Sequence, residues 1–298
     1  MKTYLYDRQE KKVVEENAYK AAGLAFLYGT KRGKALTNLV LRKRGISKLY
    51  GRYMKSKASV RQIPEFIRHY NINVDEIKEP INSFRSFNDF FIRELKEGAR
   101  PVDSPKDHLI SPADSRLFVF PIEREIQFPV KGYWYHLHQL IGNEELAQKV
   151  EGGWCFIYRL APSDYHRYNY IDNGRQEKVV QINGRLHSVN PIALKAVSNI
   201  MSTNYRELTV LHTENFGEVL HIEVGALFVG KIVQRHYGPY SFQRGEEKGW
   251  FEFGGSTVIQ LFQKGTVVPD SDILEQSGKR LETLVKLNEK VGVKGPFK

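Results

Sequence analysis

The sequence predicts an α+β fold, with a helical N-terminal region packed on a mostly antiparallel β body and a short helix near the C-terminus. Two patterns predict it. Across residues 9–80 apolar side chains recur at three- and four-residue spacing, which is typical of amphipathic helices. From about residue 115 the chain breaks into short alternating or apolar runs separated by Gly, Asn and Pro, which is typical of strands. We therefore expect a helical region over 1–105 and a β-rich body over 106–298.

The helical region is predicted from two apolar series with basic residues between them: Leu36, Leu39 and Val40, then Ile46, Leu49, Tyr50 and Tyr53. Two interpretations stay open, a core-facing helix with a solvated charged face and a basic amphipathic helix lying on anionic lipid. Further helices are expected at Leu140–Lys149, Ile192–Ile200 and Ser271–Val291.

The β body is predicted from runs that include RLFVFPI, GWCFIYRLA, EVLHIEVGALFVGKIVQRH and WFEFGGSTVIQLF. The last run would be one strand, but Gly254 and Gly255 interrupt it. Glycine inside a strand marks a bulge, a bend or a close backbone approach. A hydroxyl side chain, Ser256, follows at once.

The charge is concentrated at the N-terminus. The chain of 298 residues carries a net charge of +11, and residues 17–64 hold 12 basic residues and no acidic one. Such a surface attracts polyanions, either nucleic acid or an anionic membrane. The region has none of the common nucleic-acid-binding signatures, so we expect no nucleic-acid partner.

Composition excludes several classes of protein. Cys155 is the only cysteine, so the chain has no intramolecular disulfide and no cysteine-rich zinc site. We expect no signal peptide and no transmembrane segment, because the N-terminus is polar and no run approaches 18 apolar residues. Nucleotide and metal motifs are missing as well, and no metal is expected.

Three clusters can carry chemistry. Asp114 lies in a turn before a strand, Asp164-Tyr165-His166-Arg167 follows a strand, and Ser256 follows the paired glycines. Each has a plain structural alternative, namely an Asp turn, an ion-pair corner and a β-bulge.

The third cluster also allows a self-cleaving reaction. If a base removes its hydroxyl proton, Ser256 can attack the Gly255 carbonyl and convert the peptide bond into an ester. Elimination then cuts the chain and leaves a pyruvoyl group, which can bind an amine as a Schiff base and accept the electrons of decarboxylation.

Taken together, the three clusters resemble the phosphatidylserine decarboxylase family. The resemblance spans nearly the whole chain and is strongest to the bacterial branch whose cleavage motif is Gly-Gly-Ser-Thr. It rests on the order and spacing of short motifs: FNDFFIREL at 87–95, ARPVD at 99–103, SPAD at 111–114, DYHR at 164–167, SVNP at 188–191, ENFG at 214–217, VGALFVG at 224–230, GEEKG at 245–249 and GGST at 254–257.

The resemblance implies a proenzyme that cleaves itself between Gly255 and Ser256. Its products are a β chain, 1–255, and an α chain, 256–298, which stay together and in this family often form dimers. Ser256 becomes the pyruvoyl cofactor, Asp114 matches the aspartate of the processing triad, and His166 matches the histidine implicated in substrate binding and decarboxylation, within a substrate-binding segment that includes Asp164, Tyr165 and Arg167. The substrate is phosphatidylserine, decarboxylated to phosphatidylethanolamine, with the basic region docked peripherally on the cytoplasmic face of the cell membrane.

One position departs from the family motif. The motif usually runs Asp-Tyr-His-Arg-x-His, and its second histidine is the triad base, but this chain has Asn169 there. Asparagine cannot accept a proton at neutral pH. Either His166 or another histidine (His187, His212 or His221) acts as the base, or maturation is slow or blocked.

Three alternatives follow. The chain is a decarboxylase of phosphatidylserine, a pyruvoyl-dependent decarboxylase of a soluble amino acid, or a processing-dead lipid-binding pseudoenzyme. The absence of acidic residues over 17–64 favours a lipid substrate.

Overall fold

The structure is a computed structural model that describes residues 4–16, 30, 32–33, 44–123, 137–184, 200–225, 231–254 and 256–296. It is an α+β protein, as the sequence predicts. The helices of the described part are α1 (Arg44–Met54), α2 (Ile63–Tyr70), α3 (Phe87–Phe91), α4 (Leu137–Ile141), α5 (Glu144–Lys149), α6 (Ile200–Thr203) and α7 (Ser271–Gly278), with 3-10 turns at Lys57–Gln62, Val74–Glu76 and Ile81–Ser83.

Strands dominate the rest of the described chain. They are β1 (Tyr4–Asp7), β2 (Lys12–Glu15), β3 (His108–Ile110), β4 (Ser115–Pro121), β5 (Trp154–Leu160), β6 (Arg167–Asn169), β7 (Gly174–Gln176), β8 (Val180–Ile182), β9 (Arg206–Thr213), β10 (Gly217–Gly225), β11 (Ile232–Gln234), β12 (Tyr240–Phe242), β13 (Glu247–Phe251), β14 (Ser256–Phe262), β15 (Val267–Pro269), β16 (Glu282–Val285) and β17 (Lys290–Lys294).

One large sheet runs in the order β12-β7-β9-β10-β14-β5-β4-β16-β1-β2, and β8 pairs with β9 outside this path. Its described pairings are antiparallel except for β1 beside β16. Two three-stranded sheets accompany it, β11-β13-β6 and β15-β17-β3. Strand β14 lies inside the large sheet, between β10 and β5, so its backbone is paired on both sides.

The paired glycines lie where the chain passes from one sheet to another. The expected single strand is two strands: β13 ends at Phe251 in a three-stranded sheet, and β14 begins at Ser256 in the large sheet. Gly254 takes a φ of +148°, a conformation that side chains disfavour, and Gly255 lies outside the described residues. Gly254 therefore belongs to a crossing between two sheets.

Three helix predictions need correction. The helix expected over Ser271–Val291 ends at Gly278, because Arg280 takes a positive φ of 62° and the following residues pair as β16 and β17. Leu140–Lys149 is divided by Gly142, at a φ of 72°, into α4 and α5. The helical reading of 9–80 is wrong at Lys12–Glu15, which forms a hairpin with β1. Of the helix expected at Ile192–Ile200, all but Ile200, the first residue of α6, lies outside the described residues.

The helical region forms an aromatic core of its own. Met54, Ile63, Phe66, Ile77, Phe84, Phe87, Phe90 and Phe91 are buried together, and Phe253 packs against them. Phe253 lies two residues before Gly255, so this core reaches the segment that leads into β14.

Candidate active site

The backbone before β14 is held from two directions. The Phe251 amide donates to the His166 carbonyl at 2.9 Å, and the Phe253 amide donates to Asn88 Oδ1 at 2.9 Å. Asn88 belongs to α3, whose N-cap Ser86 accepts from the Asp89 amide. The first residue after the glycines, Ser256, is fixed by sheet pairing. The chain is thus anchored on both sides of the peptide bond that the sequence singles out.

Ser256 and His166 meet in a fully buried contact. Ser256 Oγ lies 3.3 Å from His166 Nδ1, and both residues have no exposed surface. The other ring nitrogen, Nε2, lies 3.0 Å from the Ala161 carbonyl, which can only accept. This places the ring proton on Nε2 and leaves Nδ1 free to accept the serine proton. His166 is therefore oriented as a base toward Ser256.

The surroundings of His166 keep it neutral. Burial, and after it the positive charge of Arg93, lowers its pKa to about 3. The Phe91 ring stacks on the imidazole with the centroids 3.9 Å apart, which fixes the ring plane. A neutral imidazole can accept a proton at any pH well above 3.

Asp164 supports the turn that carries His166. Its Oδ2 accepts from the Ala161 amide at 2.7 Å and pairs with Arg116, which also contacts Glu16 at 2.9 Å. Burial raises the pKa of Asp164 above its ordinary value although Arg116 opposes that shift. Asp164 thus holds Ala161, whose carbonyl in turn orients His166.

The other two residues of the predicted substrate-binding segment have no described hydrogen bond to Ser256. Arg167 donates to Glu247 Oε2 at 2.9 Å and to the Ile92 carbonyl at 3.0 Å. Tyr165 is buried, which raises the pKa of its hydroxyl to about 12. Of Asp164–Arg167, His166 is the residue that the structure brings to the serine.

Asp114 and Asn169 belong to a neighbouring cluster. Arg100 Nη2 donates to Asp114 Oδ2 at 2.8 Å, and the Leu287 amide donates to Asp114 Oδ1 at 2.7 Å. Burial alone raises the pKa of Asp114, but Arg100 outweighs it and the net pKa lies below the usual value. Asn169 Nδ2 donates to the Gly245 carbonyl at 2.7 Å and to Asn288 Oδ1 at 3.3 Å.

This second cluster is joined to the first through the backbone and through the charge of Asp114, which acts on Arg93 and Asp164. Asn169 lies on β6, three residues after His166, and its amide donates to the Pro112 carbonyl at 2.9 Å. The described residues show no hydrogen bond from Asp114 or Asn169 to Ser256. The roles of Asp114 and Asn169 in processing stay predictions. Of the alternative bases, His212 is half-exposed, His221 is buried, and His187 lies outside the described residues.

The face of β14 that carries Ser256 continues into a buried polar network. Strand alternation places Gln260 on the same face, opposite His221 of β10, with Glu223 two residues along. Gln260 Nε2 lies 3.2 Å from His221 Nδ1, and Lys248 Nζ lies 2.7 Å from Glu223 Oε1. Burial raises the pKa of Glu223, yet Lys248 outweighs it and holds that pKa at about 2. These polar and charged side chains have no exposed surface, and on the same face of β14 Val258 and Phe262 belong to a hydrophobic core.

Sequence reasoning assigned no role to Asn88, Phe91, Arg93 or Phe253. The signal was present in FNDFFIREL, where a short amphipathic turn carries Asn88 and Arg93 among aromatic residues. Asn88 and Phe91 contact Phe253 across more than 150 residues, and Arg93 contacts Ser163 across 70, which local pattern cannot supply.

Two absences concern only the described part of the chain. Within the described ranges, no three His, Cys, Asp or Glu side chains are grouped to hold a metal ion. Among the helices that the structure describes, none is long and apolar enough to cross a bilayer.

Comparison with known proteins extends over the same residues. The model of the family described as phosphatidylserine decarboxylase matches residues 87–292, which include His166 and Ser256. A phosphatidylserine decarboxylase proenzyme of Clostridium novyi is 42% identical over 291 residues, covering 97% of this chain and 99% of that protein. One of Clostridium perfringens is 42% identical over 294 residues, with 97% and 99% coverage. Phosphatidylserine decarboxylase proenzyme 2 of Clostridium acetobutylicum is 41% identical over 292 residues, with 98% and 99% coverage. The chain belongs to the phosphatidylserine decarboxylase family.

Proposed function

We propose that this chain is a phosphatidylserine decarboxylase proenzyme that cleaves itself between Gly255 and Ser256 with His166 as the base. The single observation that carries the cleavage proposal is the buried contact of Ser256 Oγ with His166 Nδ1 at 3.3 Å. The Ala161 carbonyl orients the imidazole so that the nitrogen facing the serine is the unprotonated one.

The cleavage proceeds in steps that this contact can start. His166 Nδ1 takes the hydroxyl proton as Ser256 Oγ bonds to the Gly255 carbonyl carbon. The bond from that carbon to the Ser256 nitrogen breaks, and the nitrogen leaves protonated, which gives an ester. Loss of the Ser256 α-proton expels the Gly255 carboxylate and leaves a dehydroalanine at residue 256. Water then replaces the nitrogen, ammonia is released, and a pyruvoyl group remains.

The residues present fit such a group. Position 256 is buried, lies at the start of a strand paired on both sides, and has a neutral histidine within hydrogen-bond reach. The pyruvoyl carbonyl supplies the electrophile for the substrate amine and the sink for the electrons freed with carbon dioxide. His166 is then placed to hold or return a proton beside residue 256, while Phe91 on its face excludes water.

The cleavage test is a comparison of four forms of the full chain. The wild type should yield fragments 1–255 and 256–298 on a denaturing gel, with the smaller one blocked at its N-terminus. His166→Gln should stop cleavage, whereas His212→Gln, a control at a half-exposed site, should not change it. The cleavage rate of Asn169→His, compared with that of the wild type, shows whether the asparagine limits self-cleavage. An uncut His166→Gln together with an uncut wild type and Asn169→His would support the pseudoenzyme alternative.

For the substrate, α1 supports docking on a lipid surface. Leu49 and Tyr53 are exposed on this helix at 66% and 40%, beside Arg52. On its other side Tyr50 contacts Phe253 with the ring centroids 6.0 Å apart, and Phe253 lies 5.1 Å from Phe91. Aromatic contacts therefore lead from the exposed face of α1 to the ring stacked on His166.

The docking test uses vesicles of phosphatidylcholine with and without phosphatidylserine. Leu49→Glu should weaken sedimentation with the anionic vesicles, because it removes apolar contact and adds repulsion at the surface. Val180→Glu is the matched control, since Val180 is an equally apolar residue exposed at 52% on β8. Equal activity of the processed protein on vesicles and on free serine would favour the soluble-substrate alternative. Docking at the cytoplasmic face of the cell membrane is the location that this proposal implies.

A further inference from the structure

Arg93 is a buried cation whose hydrogen-bonding groups are largely unused. Its side chain is 5% exposed, and its Nε and Nη1 atoms have no hydrogen-bond partner in the described structure. Nη2 has one long contact, to the Ser163 carbonyl at 3.5 Å. Burial lowers its pKa to about 10, so the guanidinium still carries its charge at neutral pH. Leaving charged donors unpaired in the interior is costly, which makes this arrangement unusual in a folded protein.

Other arginines in or near the interior of the described chain use their donors: Arg206 donates to backbone carbonyls, and three more pair with carboxylates. Arg100 contacts Asp114, Arg116 contacts Asp164, and Arg159 contacts Glu282. Two of these pairings occupy Asp114 and Asp164, which are the two carboxylates whose charges raise the pKa of Arg93. Arg93 is therefore left with donors that no nearby carboxylate contacts directly.

The position of Arg93 is beside the reacting residues. It follows α3, whose Phe91 stacks on His166, and its Nη2 contacts the residue before Asp164. Its charge is the largest influence after burial on the pKa of His166. An anion held by Arg93 would thus lie next to the histidine that faces Ser256.

The substrate offers two anionic groups, and their chemistry favours one. The carboxylate departs as carbon dioxide and loses its charge in the transition state, so a cation paired to it would hold back the reaction. The phosphodiester keeps its charge throughout and is separated from the reacting carbon by one methylene and one oxygen. Guanidinium nitrogens also match phosphate oxygens in two-point contact.

We propose that Arg93 binds the phosphodiester of the lipid headgroup through its guanidinium donors, of which Nε and Nη1 have no hydrogen-bond partner among the described residues and Nη2 makes only the long contact to the Ser163 carbonyl. This rests on the proposed decarboxylase function and deepens it, because it makes Arg93 the residue that distinguishes a phospholipid from a free amino acid. Arg93 is a substrate-binding residue in this assignment; it does not itself take or give a proton, although its charge lowers the pKa of His166.

The test compares processed wild type, Arg93→Gln, Arg93→Lys and Arg175→Gln, a control whose arginine is exposed on β7. Rates are normalised to the amount of fragment 256–298. Two substrates are used: a short-chain phosphatidylserine in monomeric solution, and O-methylserine, which keeps the amine and the carboxylate but has no phosphate. Arg93→Gln should raise KM for the phospholipid by about 10- to 100-fold, as expected for lost charged hydrogen bonds, with a smaller change in kcat. Arg93→Gln should leave the kinetics with O-methylserine unchanged. Arg175→Gln should leave the kinetics with both substrates unchanged.

Direct binding separates this proposal from the proposed function. Line broadening of dimethyl phosphate in phosphorus NMR should be seen with wild type, be reduced by Arg93→Lys and be lost in Arg93→Gln, whether or not the protein turns over substrate. If the wild type is inactive but still binds dimethyl phosphate through Arg93, the proposed decarboxylase function is wrong and the phosphodiester assignment stands. If wild type does not bind dimethyl phosphate, or Arg93→Gln impairs both substrates equally, the phosphodiester assignment is wrong. If Arg93→Gln does not fold, Arg93→Lys gives the same decision.

Discussion

Lowering the pH from about 7.5 to about 5 is expected to leave the rate of self-cleavage almost unchanged. His166 is the proposed base, and burial together with Arg93 lowers its pKa to about 3. At pH 5 about 99% of such a histidine is still neutral, whereas a histidine of ordinary pKa falls from about 90% to about 3% neutral over this range. If a solvent-exposed histidine of ordinary pKa were the base, this fall in pH would therefore slow cleavage by about 30-fold.

The assay follows newly synthesised precursor through a pulse and chase at each pH on a denaturing gel. Hydroxylamine, added to half of each sample, cleaves the ester and so reports the first step separately from elimination.

The lowered pKa of His166 also makes the stability of the folded precursor depend on pH. Because the pKa of His166 is lower when folded than when unfolded, stability is fully present above about pH 6.5 and is lost as pH falls toward 3, by about 2 kcal/mol at pH 5. Circular dichroism at each pH therefore has to show that the precursor is folded. A 30-fold fall with a midpoint near 6.5 in folded protein would refute the assignment of His166 as the buried base.

Two substitutions probe the support of the site. Asn88→Ala should slow cleavage by about 3- to 10-fold without unfolding the protein, because the Phe253 amide loses its acceptor at 2.9 Å; an unchanged rate by gel would show that this anchor is dispensable. Lys248→Met should lower the free energy of unfolding in urea by about 3–5 kcal/mol, because it leaves Glu223 charged and buried without its partner. Adding Glu223→Gln should recover much of that loss, and a single-variant cost below about 1 kcal/mol would contradict the pairing.

The α+β fold class could be predicted from the periodicity of apolar residues, but the C-terminal strands β16 and β17 could not. Residues 282–294 are rich in Leu, Lys and Glu and read locally as helix. They form β16 and β17 because β4 and β3 offer unpaired edges to them, and Asn288 takes a positive φ of 67° at the turn between them. Long-range pairing overrode local propensity there.

The candidate site, too, could be predicted from the sequence only in part. Resemblance located Ser256 and His166 as chemical groups, but their contact spans 90 positions, and the choice of Nδ1 depends on the Ala161 carbonyl. The buried pair Glu223 and Lys248 was also missed, although the alternation of HIEV in β10 places His221 and Glu223 on one face. Charges at inward strand positions were the available signal.

The contacts of Asn169 explain why the asparagine can be accommodated. Its Nδ2 carries two protons and donates both, to Gly245 and to Asn288, and neither bond depends on pH. A neutral histidine has one N–H, so Asn169→His satisfies one acceptor and leaves the other, unless the ring takes a second proton. The variant therefore brings a titrating group into this cluster, near Asp114, whose low pKa keeps it ionised. If the new imidazole takes part in cleavage, the flat pH profile of the wild type should become one that rises with pH near the histidine range. If it does not, the profile should stay flat, and His166 alone would account for the base.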